Sequence, residues 1–322
     1  MREALFVKQN NTRWTEYKNT QTSNPDELAD RFIAITDDLS YAKTFYPNSK
    51  TTAYLNKLAA GFHQSIYKNQ KENNNRFFLF WKFELPLLFK KYHKEILWSF
   101  LLFMTFFFVG MISAKYDDTF VRLIMGDGYI DMTNANIAKG DPFGVYKDKS
   151  TFWMFYGIAS NNLYITVVTY VTGLFFSLGT VYILFKNGIM LGAFEYFFIS
   201  KGLGLQSILV VFIHGTLEIS AIIIAGGAGL AFGNSILFPK TYPRLVSMMR
   251  GAKDGVKIMT GILPIVVVAA IFESFITRHT EMPAWVSVFI LTASFTFIVW
   301  YVVIYPICLL KNKTIIIDVT KG

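Results

Sequence analysis

Four ionisable side chains fall inside long apolar runs of the sequence, and they are the first places to look for chemistry. They are Glu195, His214, Glu218 and Glu273. Because an ionisable group in hydrocarbon is costly, each is expected to face the interior of a helical bundle, a wet cavity or a partner. His214 and Glu218 are four residues apart and share one helix face, where they could pair directly or supply two ligands of a metal site.

The residue types alone leave three uses of these side chains open. A buried hydrogen-bonded pair that fixes helix register is favoured, because buried polar groups normally find partners. Transport or proton transfer, and metal binding, are the alternatives. HGTLE at 214–218 differs from the HExxH motif of zinc proteases, and the chain has no GxSxG elbow and no GxxxxGK[ST] phosphate loop. We therefore expect no enzymatic activity, no cofactor and no bound metal.

Small residues cluster further along the same apolar segment. Gly226, Gly227 and Gly229 lie in the run IIIAGGAGLAFGN. Small side chains allow two helices to approach closely in a membrane, and this packing role is favoured. The alternative is an unwound stretch that lines a substrate path.

The composition indicates what must position these residues. Of the 322 residues, 53% are hydrophobic and 16% are charged, whereas a soluble domain is about 25% charged. Residues 1–95 hold 25 of the 53 charged residues, so a polar third precedes a membrane-like two-thirds. The net charge of +9 favours attraction to anionic lipid over nucleic acid, since no nucleic-acid-binding module occurs. The single Cys308 excludes an intrachain disulfide.

We predict an all-α fold: a polytopic membrane helical bundle of about six transmembrane helices with a small soluble helical region before it. The predicted spans are residues 96–114, 163–185, 188–200, 205–234, 258–277 and 285–309. Lys186-Asn187-Gly188, at the junction of the second and third of these spans, predict a turn at the cytoplasmic face. Residues 188–200 are too short to cross a core of about 30 Å upright, so they are expected to be tilted or re-entrant.

The distribution of charge predicts the orientation. Six crossings place every basic segment on one side of the membrane, as the positive-inside rule requires. Both termini, and the basic loop at 236–257, are then cytoplasmic, and the loop at 115–162 lies outside. That loop is long enough to form a small cap with one or two short amphipathic helices. The transmembrane bundle occupies 96–310, and 311–322 form a cytoplasmic tail.

The region before the first span is predicted to have two parts. Residues 1–75 form a cytoplasmic helical region, with helix starts at Asn24-Pro25 and at Asn48-Ser49. Residues 76–95 form an amphipathic helix in the membrane interface, which Pro86 kinks or breaks. Its lysines are expected to extend towards the headgroups. They are Lys82, Lys90, Lys91 and Lys94.

Three segments in this order resemble the stage II sporulation protein M family. They are FKNGIMLGAFEYFF at 185–198, HGTLEISAIIIAGGAGL at 214–230 and FESFITRH at 272–279. The resemblance covers about 95–315, and the polar N-terminal region is similar to that of a longer branch of the family. It marks His214, Gly215, Glu218 and Glu273 as family-motif positions and assigns none of them a chemical step.

The resemblance implies a bacterial inner-membrane protein. In sporulating bacteria, members of the family work with secreted cell-wall hydrolases during engulfment, as a membrane anchor or scaffold. Long forms are often encoded near a MoxR-type AAA+ ATPase and RDD-type membrane proteins. We therefore expect an inner-membrane scaffold or assembly protein whose partners are the lipid bilayer and other envelope proteins. A homo-oligomer is compatible with this expectation. A transporter or channel that uses the buried His and Glu residues is the first alternative, and an intramembrane metalloenzyme is the second.

Overall fold

A computed structural model of the chain describes residues 2–20, 22, 24–68, 76–144, 151–277 and 282–311. These residues form helices and connecting turns, with no β-strand among them. The chain divides into two compact units, one formed by the first 76 residues and one that begins at Phe77. The all-α prediction is thus confirmed.

The first unit is a three-helix assembly. Its helices are α1 (Glu3–Asn19), α2 (Pro25–Phe45) and α3 (Lys50–Lys68). Asn24 caps α2 by accepting a hydrogen bond from the backbone N–H of Asp26 (3.1 Å), and Ser49 does the same for Thr52 (3.1 Å). Both predicted helix starts are therefore confirmed, whereas α1 was not predicted because its apolar positions are sparse.

The core of this unit is aromatic and aliphatic. Trp14 of α1 is 1% exposed, and its indole N–H donates to Asp38 Oδ2 (2.7 Å). The same carboxylate accepts from Arg13 (2.5 Å). The buried positions around Trp14 come from all three helices: Phe6, Ile35, Leu39, Ala42, Leu55, Ala59 and Phe62. The unit thus has a core of its own.

The second unit contains eleven α-helices within the described residues. They are α4 (Arg76–Leu79), α5 (Leu85–Lys91), α6 (His93–Tyr116), α7 (Asp118–Met125), α8 (Asp127–Ala138), α9 (Thr151–Val171), α10 (Leu178–Ser200), α11 (Gly204–Leu237), α12 (Arg244–Ile271), α13 (Ala284–Val299) and α14 (Tyr305–Lys311). Wider π-helical turns occur at Phe80–Glu84, Phe272–Ile276 and Trp300–Ile304. The first and third of these turns join α4 to α5 and α13 to α14.

Five helices in the described part of the chain are long and apolar enough to cross a membrane. They are His93–Tyr116, Leu178–Ser200, Gly204–Leu237, Arg244–Ile276 and Ala284–Lys311. The sequence predicted about six, and the difference lies between residues 151 and 200. The predicted span 163–185 is divided between α9 and α10, and the predicted short segment 188–200 is the second half of the 23-residue α10.

The break between α9 and α10 is eleven residues earlier than the sequence suggested. Phe176 and Ser177 have positive φ angles of 53° and 69°, which end one helix before the next begins. The predicted turn at Lys186–Gly188 is wrong. Asn187 donates its side-chain amide to the carbonyl of Ile183 (2.8 Å) within α10, and Gly188 packs against α6. The residues that predicted a turn therefore lie in the middle of a helix.

Helices α6 and α10 run parallel and in close contact. A Cβ on Gly188 would lie 2.9 Å from the carbonyl oxygen of Phe103, and one on Gly192 would lie 2.1 Å from that of Phe107. The contacts advance in the same direction on both helices, which shows that the helices are parallel. The spacing of four residues places both glycines on one helix face.

Two prolines free backbone carbonyls that side chains of the facing segment then bind. Pro86 has no N–H to donate, so the carbonyls one turn earlier lose their usual partner. Those of Trp81 and Lys82 accept hydrogen bonds from the hydroxyls of Tyr301 (2.6 Å) and Tyr305 (3.0 Å). These contacts tie the start of the unit to its end.

The same arrangement occurs in reverse at Pro306. The carbonyl of Val302, four residues before this proline, lies 3.0 Å from His93 Nε2. The segment around Pro86 is therefore docked rather than loose, and Leu85 and Phe89 are fully buried. Its position in the membrane interface stays a prediction.

Helices α7 and α8 occupy the first half of the predicted outer loop. Val121 and Ile130 pack with Phe198 of α10 and Val211 of α11. Arg122 joins the two short helices by ion pairs to Asp127 (2.9 Å) and Asp131 (2.8 Å). The predicted loop extended to residue 162, but in the structure α9 already begins at Thr151, so the end of that segment belongs to a long helix.

Candidate functional site

Three of the four predicted ionisable residues meet at one place. His214 and Glu218 lie on α11, and Glu273 lies in the π-helical turn that follows α12. One ligand atom from each of the three lies within 4.8 Å of the others. His214 Nε2 is 3.8 Å from Glu273 Oε2, and the two side chains are 5% and 15% exposed. Sequence spacing predicted only that His214 and Glu218 share a face.

A threonine sets the orientation of the imidazole ring. His214 Nδ1 lies 3.0 Å from the hydroxyl of Thr277. That hydroxyl donates to the carbonyl of Phe272 (3.3 Å), so it can accept the proton of Nδ1–H. This pattern leaves the lone pair of Nε2 directed towards the carboxylate of Glu273. Thr277 is 1% exposed.

The π-helical turn provides both groups that face His214. The backbone N–H of Thr277 bonds to the carbonyl of Phe272 (2.9 Å), five residues earlier. Such single wide turns are uncommon and recur at functional sites. Glu273 and Thr277 are four residues apart and both point at α11. No feature of the sequence FESFIT distinguishes this turn from an ordinary α-helix.

The third element of the site comes from α9. The side-chain amide of Asn162, which is 5% exposed, interacts with the carboxylate of Glu218. Its own side-chain oxygen accepts from Asn161 (3.3 Å). The sequence analysis missed Asn162, although two adjacent amides within an apolar helix are a signal of a buried polar contact.

Glu195 stands apart from this group. It is 3% exposed and accepts a hydrogen bond from the hydroxyl of Ser207 (3.2 Å). Ser207 precedes His214 by seven residues on α11, which is about 10 Å along the helix axis. Glu195 therefore belongs to a separate buried pair that joins α10 to α11.

The glycines of α11 lie at contacts with α6 and α10. A Cβ on Gly226 would be 2.3 Å from Ser99 Oγ, one on Gly227 would be 2.8 Å from the Cα of Ile96, and one on Gly229 would be 2.4 Å from Thr180 Oγ1. Helix α11 continues through them without unwinding. This geometry corresponds to helix packing.

Gly215 has no such contact. Within the described residues, a Cβ there would meet only Ile219, at 3.8 Å, so packing among them does not explain a glycine beside His214. The predicted interfacial lysines are on the surface or half-buried. Lys91 pairs with Asp254 of α12 (2.5 Å), which also accepts from the hydroxyl of Tyr92 (2.7 Å).

The site thus combines one imidazole nitrogen and two carboxylates in largely buried surroundings among α9, α11 and the end of α12. Two carboxylates so close together repel one another unless a proton or a cation lies between them. The arrangement is therefore suited to holding a proton, an ion pair or a metal ion.

The region that contains this site matches a known protein family. A family model described as Stage II sporulation protein M matches residues 99–278, which is more than half of the 322-residue chain and includes the whole site. A second model, described as a domain of unknown function, matches residues 4–68. Searches of curated proteins and of solved structures find no match.

Proposed function

The chain belongs to the stage II sporulation protein M family, and on that premise we propose that it is a scaffold or assembly protein of the bacterial inner membrane rather than an enzyme. It holds other envelope proteins at the membrane. Candidate partners are a MoxR-type AAA+ ATPase and RDD-type membrane proteins, together with further copies of the chain.

The observation that carries this proposal is the division of the chain into two compact units. The first unit matches its own family model over residues 4–68, and its buried apolar residues, from Phe6 to Phe62, pack on one another. A separately folded unit joined to a membrane anchor is suited to presenting a binding surface.

We also propose six membrane passages with both termini in the cytoplasm. If α6 and α10 both cross the membrane and run parallel, the chain must return between them. Helix α9, of 21 residues, is the described helix long enough for that return. Its Asn161 and Asn162 lower its mean hydropathy, but Asn162 is buried against Glu218 and not exposed to lipid.

Labelling of single cysteines tests this topology. In a Cys308→Ser background, Lys139→Cys after α8 is expected to react with an impermeant maleimide added to intact cells. Lys240→Cys, the matched exposed lysine before α12, is expected to react only after the cells are opened. Labelling of both positions from outside would contradict the six-passage arrangement.

Recovery of partners tests the scaffold role. We expect crosslinking in native membranes, followed by purification in mild detergent, to recover the same envelope proteins repeatedly with the full chain. A chain that begins at Phe77 is the comparison, and it should lose those that bind the first unit. Recovery of the protein alone under crosslinking would contradict the scaffold proposal.

A transporter or channel is the second candidate, because three ionisable residues meet inside the bundle. Flux through the purified protein in vesicles would support it, provided that Glu218→Gln and Glu273→Gln abolish the flux and Glu195→Gln does not. Absence of flux for the ions and small solutes tested, with correctly folded protein, would count against it.

A further inference from the structure

We propose that His214, Glu218 and Glu273 bind one divalent transition-metal ion, with zinc as the expected occupant. The inference goes beyond the scaffold role and is independent of it. It replaces the expectation from sequence that these residues bind no metal.

The donor atoms are of the right kind and in the right place. Zinc binds imidazole nitrogen and carboxylate oxygen at about 2.0–2.2 Å, in tetrahedral geometry. Two ligands on such an ion lie about 3.3 Å apart, and His214 Nε2 is 3.8 Å from Glu273 Oε2. The three ligand atoms lie within 4.8 Å, so small rotations of the two Glu side chains bring them onto one ion.

The charge of the site favours a divalent cation. Two carboxylates and a neutral imidazole carry two negative charges, which an ion of charge +2 balances. A cation between the carboxylates replaces their mutual repulsion with attraction in surroundings of low polarity.

The partners of the ligands are those that metal ligands commonly have. A metal-bound histidine usually donates its second N–H to an oxygen, which fixes the ring and its tautomer. Thr277 Oγ1 provides that acceptor at 3.0 Å from Nδ1. The side-chain amide of Asn162 also interacts with the carboxylate of Glu218. Both partners are nearly inaccessible to solvent.

Three protein ligands leave one position of a tetrahedral ion open. Structural zinc sites usually use four protein ligands, and sites with three keep a place for water or another small ligand. The proposed centre is therefore of the open type. The alternative is a hydrogen-bonded cluster of the same residues that holds no ion. Measuring the metal content of the protein distinguishes the two.

Metal analysis of the purified full chain tests the proposal. The protein should carry no histidine tag, should never meet a chelator, and should be measured after zinc addition and removal of the unbound excess. We expect about one zinc ion per chain. Glu273→Gln and Glu218→Gln should each lower the content or the affinity at least about tenfold, whereas Glu195→Gln, a buried acid outside the site, should keep the wild-type content.

Cobalt replacement provides a second readout. The cobalt-loaded protein should show visible absorption typical of a four-coordinate site. Glu273→Gln should remove this absorption, although the variant should still be folded and show a cooperative thermal unfolding transition. Wild-type protein without stoichiometric metal, or equal metal content in Glu273→Gln and Glu195→Gln, would overturn the proposal. Either result leaves the scaffold role untouched, because that role is measured by recovery of partners.

Discussion

The contact between α6 and α10 is predicted to tolerate no side chain at Gly192. A Cβ there would lie 2.1 Å from the carbonyl oxygen of Phe107 and 2.9 Å from the backbone nitrogen of Met111. An ordinary nonbonded contact is about 3.5 Å, so Gly192→Ala forces the two helices apart by more than about 1 Å. The atoms in the way are backbone atoms, which cannot rotate aside.

The cost follows from overpacking. Inserting a methyl group into a tight contact costs typically about 1–3 kcal/mol, and alanine returns about 0.5–1 kcal/mol through its higher helix propensity. The net loss is therefore up to about 2.5 kcal/mol. At about 2–4 °C per kcal/mol for a unit of this size, the unfolding temperature should fall by several degrees.

Thermal unfolding of the full chain in one detergent measures this effect. Gly157→Ala is the matched control, because Gly157 lies within α9 and a Cβ there meets no atom of the described part of the chain within 4 Å. It should leave the unfolding temperature unchanged or raise it slightly. Equal unfolding temperatures for Gly192→Ala and Gly157→Ala would refute the close parallel packing of α6 and α10.

Three further substitutions test contacts elsewhere in the chain. Tyr301→Phe leaves the carbonyl of Trp81 without its hydroxyl donor and should cost about 1–3 kcal/mol, seen as a lower unfolding temperature; no change would mean that water replaces the donor. Asp38→Ala removes the acceptor of the buried Trp14 indole and should cost a similar amount. Hydrogen exchange should then quicken in residues 2–68 and not in the bundle, and faster exchange in both would contradict separate units. Thr277→Val removes the hydroxyl that orients the imidazole and should weaken zinc binding about 10–100-fold, whereas unchanged affinity would show that the ring needs no such support.

The helical class of the fold and most of its long helices were predictable, because apolar length and helix-start signals act locally. Asn24 and Ser49 cap helices where the sequence placed them. The division of residues 163–200 was not predictable. Gly188 marks a turn by propensity, but it serves packing against α6, which only the tertiary structure defines.

The site was predictable in part for the same reason. The four-residue spacing of His214 and Glu218 is a property of one helix, and it indicated a shared face. Glu273 reaches them through a π-helical turn, and Asn162 reaches them from α9. Both depend on the approach of separate helices, so periodicity in the sequence carries no information on them. Glu195 has the same apolar sequence context and lies in a different pair.

The central claim is that His214, Glu218 and Glu273 act as one site from which Glu195 is separate. A double-mutant cycle on the free energy of unfolding tests it most directly. His214→Ala combined with Glu273→Gln should show a coupling of about 0.5–3 kcal/mol, whereas His214→Ala combined with Glu195→Gln should be additive within about 0.5 kcal/mol. Additivity of the first pair, or equal coupling in both, would contradict the account.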